Sequence, residues 1–253
     1  MTEASSLALA NLREVGIATS LIVVVGRGLN EAEVSRTLRF ALQPENDHIR
    51  EVFFMGLRIL GSARTAGLGD MQLMPDELIG LLCEQEPSIR REDIKRFNKI
   101  YFTLLSELRV KKCLYIQHYM VARDGSGGMV PASDFVDLEA LEEICERYAK
   151  IVHEYPTLAR LRFIAQLPRG LKRKGMAIQL LQLLRVLARG MNLRDVPPQF
   201  LLLGFITACD PHNYDAAVAR NCGKGELSVD GGFVESSAGA NVNRERRDRL
   251  AKT

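Results

Sequence analysis

The sequence predicts an all-α, mostly helical protein: a compact two-lobed helical bundle with a small β-hairpin or loop region near its C-terminus. Three observations lead there. Apolar residues recur every three or four positions through most of the chain, and glycines and prolines gather at a few breaks between those runs. Only Leu227–Val234, with Asp230-Gly231-Gly232 at its centre, has the form of a hairpin. The expected organisation is an N-terminal lobe at 1–122, a Gly/Ser loop at 123–132, a C-terminal lobe at 133–220, and a Gly-rich hairpin and charged tail at 221–253.

Residues 3–13 mix Ala, Leu and Ser in a helix-compatible way. Ile17–Val25 is a β-branched run that meets Gly26-Arg27-Gly28, which has the form of a dinucleotide-binding turn, with Asn30 able to cap the helix that follows. Glu31 stands where the third glycine belongs and no βαβ alternation is visible, so a buried helix stopping at the glycines is the expectation. Val34, Leu38 and Leu42 then mark one side of a helix that Pro44 breaks. His48–Leu60 is apolar nearly all round and is expected as an interior helix. Pro75–Gln85 starts with proline in its first turn and sends Leu78, Ile79, Leu81 and Leu82 inward.

From Ser88 to about Val121 no glycine or proline intervenes, and Ile94, Phe97, Tyr101, Leu104, Leu105 and Leu108 keep a helical period, predicting one long helix. Asp124-Gly-Ser-Gly-Gly128 and Pro131 form the clearest loop. The next helix, capped by Ser133 or Asp134, buries Phe135, Leu138, Leu141, Ile144, Cys145, Tyr148, Ile151 and Val152, with Glu139, Glu142, Glu143 and Glu146 outside. Pro156 ends it, and two helical pieces meet at Pro168-Arg169-Gly170. Pro197-Pro198 opens a short apolar helix to Cys209, and Asp210-Pro211 another to about Arg220.

Composition narrows the function. The chain has 253 residues, 47% apolar and 26% charged, which is a globular balance. Its longest uncharged runs, Val15–Gly26 and Val196–Cys209, fall short of the roughly 20 residues of a membrane span. Five widely spaced cysteines, an odd number with no Cys-x-x-Cys, suit free thiols, and no signal-peptide pattern opens the chain. An intracellular protein (cytoplasmic or nuclear, or within a virion), not secreted and without a transmembrane segment, is the expectation. Net charge is +3, yet residues 1–94 carry −5 and residues 95–253 carry +8, suggesting two surfaces with different partners or head-to-tail self-association.

The strongest functional signal is Thr157–Arg194, which holds nine Lys or Arg and no Asp or Glu, interleaved with core-forming residues. Arginine forks and lysines on one helical face suit phosphate. The candidate contacts are Arg160, Arg162, Arg169, Lys172, Arg173, Lys174, Arg185 and Arg189, with Lys95, Lys99, Arg109 and Lys112 facing them across a cleft. Phe163 is placed to stack on a base if it is exposed. The competing expectation is that these arginines pair with the glutamates of 139–146 in an ordinary solvated interface.

Catalytic signals are thin. His48, His118, His153 and His212 share no metal spacing with one another or with any cysteine. Lys224 lies between glycines without a Walker motif, and the loop around Ser126 lacks the order of a nucleophile motif. No enzyme, cofactor, metal or small-molecule substrate is therefore expected.

By type, a helical chain with a basic face and no catalytic set resembles viral matrix and nucleocapsid proteins. Locally, Pro168-Arg-Gly-Leu-Lys-Arg-Lys174 is similar to a basic Arg-Gly-Leu-x-Arg-Arg segment of orthomyxovirus matrix proteins, over six residues. The likeness implies a largely sequence-independent RNA-binding, self-associating structural protein: a homo-oligomer on single-stranded RNA or another anionic polymer. The alternatives are a helical adaptor for an acidic protein partner, peripheral binding to an anionic membrane surface, and an enzyme whose site is assembled from scattered residues around His118, His153 or Cys145.

Overall fold

The computed structural model describes residues 3–57, 69–107, 113, 115–172, 193–207, 226–227 and 233–234. Along the chain these form α1 (Glu3–Glu14), β1 (Thr19–Val25), α2 (Glu33–Leu42), β2 (Ile49–Gly56), α3 (Pro75–Gln85) and α4 (Arg91–Glu107). There follow β3 (Ile116–Arg123), β4 (Met129–Pro131), α5 (Ala132–Phe135), α6 (Leu138–Ile151), α7 (Pro156–Gln166), β5 (Phe200–Thr207), β6 (Glu226–Leu227) and β7 (Phe233–Val234).

The all-helical bundle is overturned. A five-stranded mixed sheet in the order β1-β2-β5-β3-β4 runs through the molecule. β1, β2 and β5 are parallel, and β3 is antiparallel to both β5 and β4. Because β5 lies between β2 and β3, residues 200–207 complete a sheet that residues 19–123 begin. The fold is α/β, not two helical lobes.

The mistaken helices share one ambiguity: a short apolar run has no period to separate strand from helix, and a parallel strand covered on both faces shows such a run instead of alternation. β5, buried on both faces, replaces the helix expected after Pro197-Pro198, and β2 lies within His48–Leu60. β1, within Ile17–Val25, is apolar from Leu21 to Val25 although Ile22 and Val24 are exposed. The single helix from Ser88 to Val121 is also corrected: α4 ends at Glu107, and Ile116–Arg123 is a strand whose β-branched and aromatic residues suit the pleat.

Leu21, Val23, Val25, Val52, Phe54, Leu201, Leu203, Phe205, Tyr119 and Val121 share one face of the sheet, by alternation and by register. α2 and α3 pack on that face with Val34, Leu38, Leu42, Leu78, Ile79 and Leu82 buried. α4 lies against β3, where Asn98 Oδ1 accepts the His118 backbone N–H at 2.8 Å. α6 packs on α4, and α7 on α6.

The Gly/Ser segment is the turn of the β3–β4 hairpin. Asp124 Oδ1 accepts from the Ser126 N–H and hydroxyl and from the Gly128 N–H, while Gly125 and Gly127 take φ of 86° and 90°. Asp137, not Ser133 or Asp134, caps α6 by accepting from Ala140 N at 3.0 Å. β6 and β7 pair antiparallel through Glu226–Val234 and Leu227–Phe233. The helix expected after Asp210-Pro211 and the charged tail lie outside the described residues.

Candidate nucleic-acid interface

α6 and α7 form the second layer beyond the sheet. α7 starts with Pro156 in its first turn and buries Ala159 and Phe163 against α6. α6 buries Leu138, Ile144, Cys145 and Tyr148. Their seam is fixed by the Tyr148–Phe163 ring pair, with centroids 4.7 Å apart, and by Gly170, where a Cβ would come within 2.3 Å of Leu141. Between the two helices lies a cleft of about 300 Å³, lined by Ile144, Arg147, Tyr148, Lys150, Ile151, Ala159, Arg162, Phe163 and Gln166. Among the described residues it has three cations on its walls and no carboxylate. Arg147 is 3.4 Å from Glu143, whereas Lys150 and Arg162 make no ion pair among the described residues.

The structure sorts the candidate contacts. Arg162 lines the cleft, and Arg169 is exposed on the turn that follows α7. Lys172 Nζ donates to Ser133 O at 3.0 Å and makes no ion pair among the described residues. Arg160 is engaged, its Nε 3.2 Å from Glu107 Oε2. Burial and the adjacent Glu107 carboxylate push Tyr148, beside that pair, up to about 12. Lys95 is exposed on α4 without an ion pair among the described residues. Arg173, Lys174, Arg185, Arg189, Arg109 and Lys112 lie outside the described residues.

Lys99 is held by carboxylates. It reaches Glu142 at 3.0 Å and also Glu146, while its neighbour Arg96 holds Glu142 at 3.1 Å and Glu139 at 3.9 Å. The acidic face of α6 is therefore covered by the cations of α4, because α4 and α6 are packed neighbours. Among the described residues these glutamates pair with α4 and with Arg147, and none pairs with the basic stretch.

Arg147 and Lys150 were missed in the sequence, hidden in a helix dominated by four glutamates. The available signal was their spacing of three, which sets both on one side of α6. Phe163 is buried against Tyr148 and offers no open face to a base.

Among the described residues, the glycine turn after β1, Cys145 and His118 have structural surroundings of their own. The Gly26-Arg27-Gly28 turn does sit inside a βαβ unit, since α2 connects the parallel neighbours β1 and β2. Three N–H groups at this turn are spent internally: Gly26 N donates to Asn30 Oδ1, Arg27 N to Met71 O, and Leu29 N to Gly26 O. Asn30 thus ties the turn together, donating also to Val24 O, and does not cap α2. No donor cradle for a pyrophosphate remains among these groups. Cys145 is buried, which pushes its thiol up to about 11, and His118 is buried, which pulls it down to about 4. Neither lines the cleft, nor does His153. Among the described residues no three of His, Cys, Asp or Glu are placed to hold a metal ion, and no helix is long and apolar enough to cross a membrane.

No protein-family model matches the chain, and no curated protein matches it in sequence.

Proposed function

We propose that the chain is a non-enzymatic protein that binds single-stranded RNA by its phosphates, in the manner of a nucleocapsid or matrix protein. The observation that carries this reading is the α6–α7 cleft, where Arg147, Lys150 and Arg162 stand on the walls with no carboxylate among the described lining residues. Arg169 and Lys172 extend the positive surface beyond the end of α7. Since Phe163 and Tyr148 are buried, contacts fall on phosphate and sugar, which position a strand without reading its bases. Self-association belongs to the same proposal: β1 is the outer strand of the sheet, with Ile22 and Val24 exposed.

Fluorescence titration with labelled single-stranded RNA at several salt concentrations tests the reading. The wild-type chain binds with log affinity falling linearly in log salt. In the Lys150→Ala/Arg162→Ala variant the slope falls by about 1.4, the contribution of two phosphate contacts to a single strand. An unchanged slope rejects the cleft.

One observation favours a second reading, an anionic membrane surface. Leu158, Leu161 and Ile164 form an exposed row on α7, 44%, 63% and 63% accessible, beside Arg162. An apolar row flanked by cations is what an interfacial helix presents to acidic lipid. Flotation with anionic but not neutral vesicles, abolished by Leu161→Ser/Ile164→Ser, supports that reading; no flotation with either vesicle retires it.

A further inference from the structure

At the end of the sheet where β2 and β5 begin and β3 ends, three basic side chains converge. Arg123 closes this end. Its guanidinium donates to the carbonyls of Ala41 at 2.9 Å, Ile49 at 2.6 Å and Phe200 at 3.1 Å, and also to Pro198. That leaves Arg123 Nε. Beside it lie Arg50, with Nε and Nη1 buried, and His48, 5% exposed, with both ring nitrogens buried. Six buried side-chain nitrogen or oxygen atoms lack a hydrogen-bond partner among the described residues, and five of them are in this cluster.

The charges are equally one-sided. His48 is under the influence of Arg13, Arg50 and Arg123 against a single acid, Asp47, and Arg123 feels the same Arg50 and Asp47. Burial lowers all three groups, Arg123 to about 10. Donors closed to water and not paired are costly, so a cluster of them implies a compensating acceptor. Arg13 arrives from the last turn of α1, a helix that buries no residue of its own.

We propose that His48, Arg50 and Arg123 form a site for one tetrahedral oxyanion of the phosphate class. Arginine matches such an anion because its planar fork gives parallel N–H bonds to two oxygens. The Arg50 Nε and Nη1 atoms supply that kind of donor, Arg123 Nε another, and a protonated His48 a further one. The donors are closed to solvent, and Arg13, whose charge acts on His48, stands on α1, a helix that buries no residue of its own. The site does not depend on the α6–α7 cleft, and none of its residues line that cleft.

The test measures the thermal midpoint of the full chain in inorganic phosphate and in chloride at equal ionic strength. A saturable rise of about 4 °C in phosphate is expected from a ligand that binds only the folded state. The Arg50→Met variant loses that rise. If it fails to fold, Arg13→Met decides: this exposed residue, outside the donor set, leaves the midpoint in chloride unchanged, and loss of its charge near His48 weakens phosphate binding about threefold. A 5′-phosphorylated dinucleotide compared with its 5′-hydroxyl form tells a terminal phosphate from free phosphate as the ligand. An equal response to phosphate and chloride, or an undiminished rise in both variants, overturns the site and leaves buried water as the partner of these donors.

Discussion

The ring of Phe53 lies over the backbone of Gly204. β2 and β5 pair these two residues directly, and a Cβ built on Gly204 would come within 2.2 Å of Phe53 Cδ1. The glycine is what lets an aromatic ring lie flat on a neighbouring parallel strand in the middle of the sheet.

Gly204→Ala therefore overpacks this point and is expected to destabilise the fold by about 2 kcal/mol, read as a lowered midpoint of urea unfolding. Phe53→Leu in the same chain restores part of the loss, because the smaller side chain vacates the space. Additive effects of the two substitutions would reject the contact.

How far the sequence reveals the fold depends on which forces leave a period. α2, α3 and α6 are amphipathic, so Val34, Leu38 and Leu42, or Ile144, Cys145 and Tyr148, announce their buried side. β5 reads Phe-Leu-Leu-Leu-Gly-Phe-Ile-Thr and carries no such signal, since residues on both of its faces are buried; its leucines also favour helix in isolation. No glycine or proline separates α4 from β3, so that change of state has no punctuation. In the site, Arg162 is legible from an acid-free basic stretch. That Lys99 faces Glu142 and Glu146 while Arg147 and Lys150 face the cleft follows from helix packing, which the sequence alone does not show.

His118 makes stability depend on pH. It is buried beside Tyr101 and Phe102, with the Tyr101 ring centroid 4.6 Å away, and burial pulls its pKa from 6.5 to about 4. The unfolded chain takes up a proton from about pH 6.5 downward, whereas the folded chain does so only near pH 4. The contribution of neutral His118 is whole above pH 6.5, is lost as pH falls to about 4, and changes no further below that. The loss amounts to about 3 kcal/mol. Unfolding free energies of wild type and His118→Phe across this range give a difference that grows toward pH 4; a flat difference would refute the burial of a neutral histidine.

Asp137 anchors the helix that carries half the cleft. Its Oδ1 satisfies Ala140 N, an N–H with no partner inside the helix. Asp137→Ala is expected to cost about 1 kcal/mol, and Asp137→Asn or Asp137→Ser to cost little, because either can still accept that bond. Faster amide exchange at the first turn of α6 in the alanine variant, absent in the asparagine variant, is the check. Equal exchange in both would show that the cap is not the constraint.

The cations of α4 and those of the cleft separate in a comparison of single variants. Lys99 is held by two carboxylates, so Lys99→Ala removes little that a phosphate could use, and RNA affinity and its salt slope stay within error of wild type. Arg162 has no such partner among the described residues, so Arg162→Ala lowers affinity and takes about 0.7 from the slope. Lys95, exposed and without an ion pair among the described residues, serves as the control for general positive charge: if Lys95→Ala matches Arg162→Ala, the attraction is diffuse and the cleft holds no strand. If only Arg162→Ala acts, the phosphates lie where α6 and α7 meet.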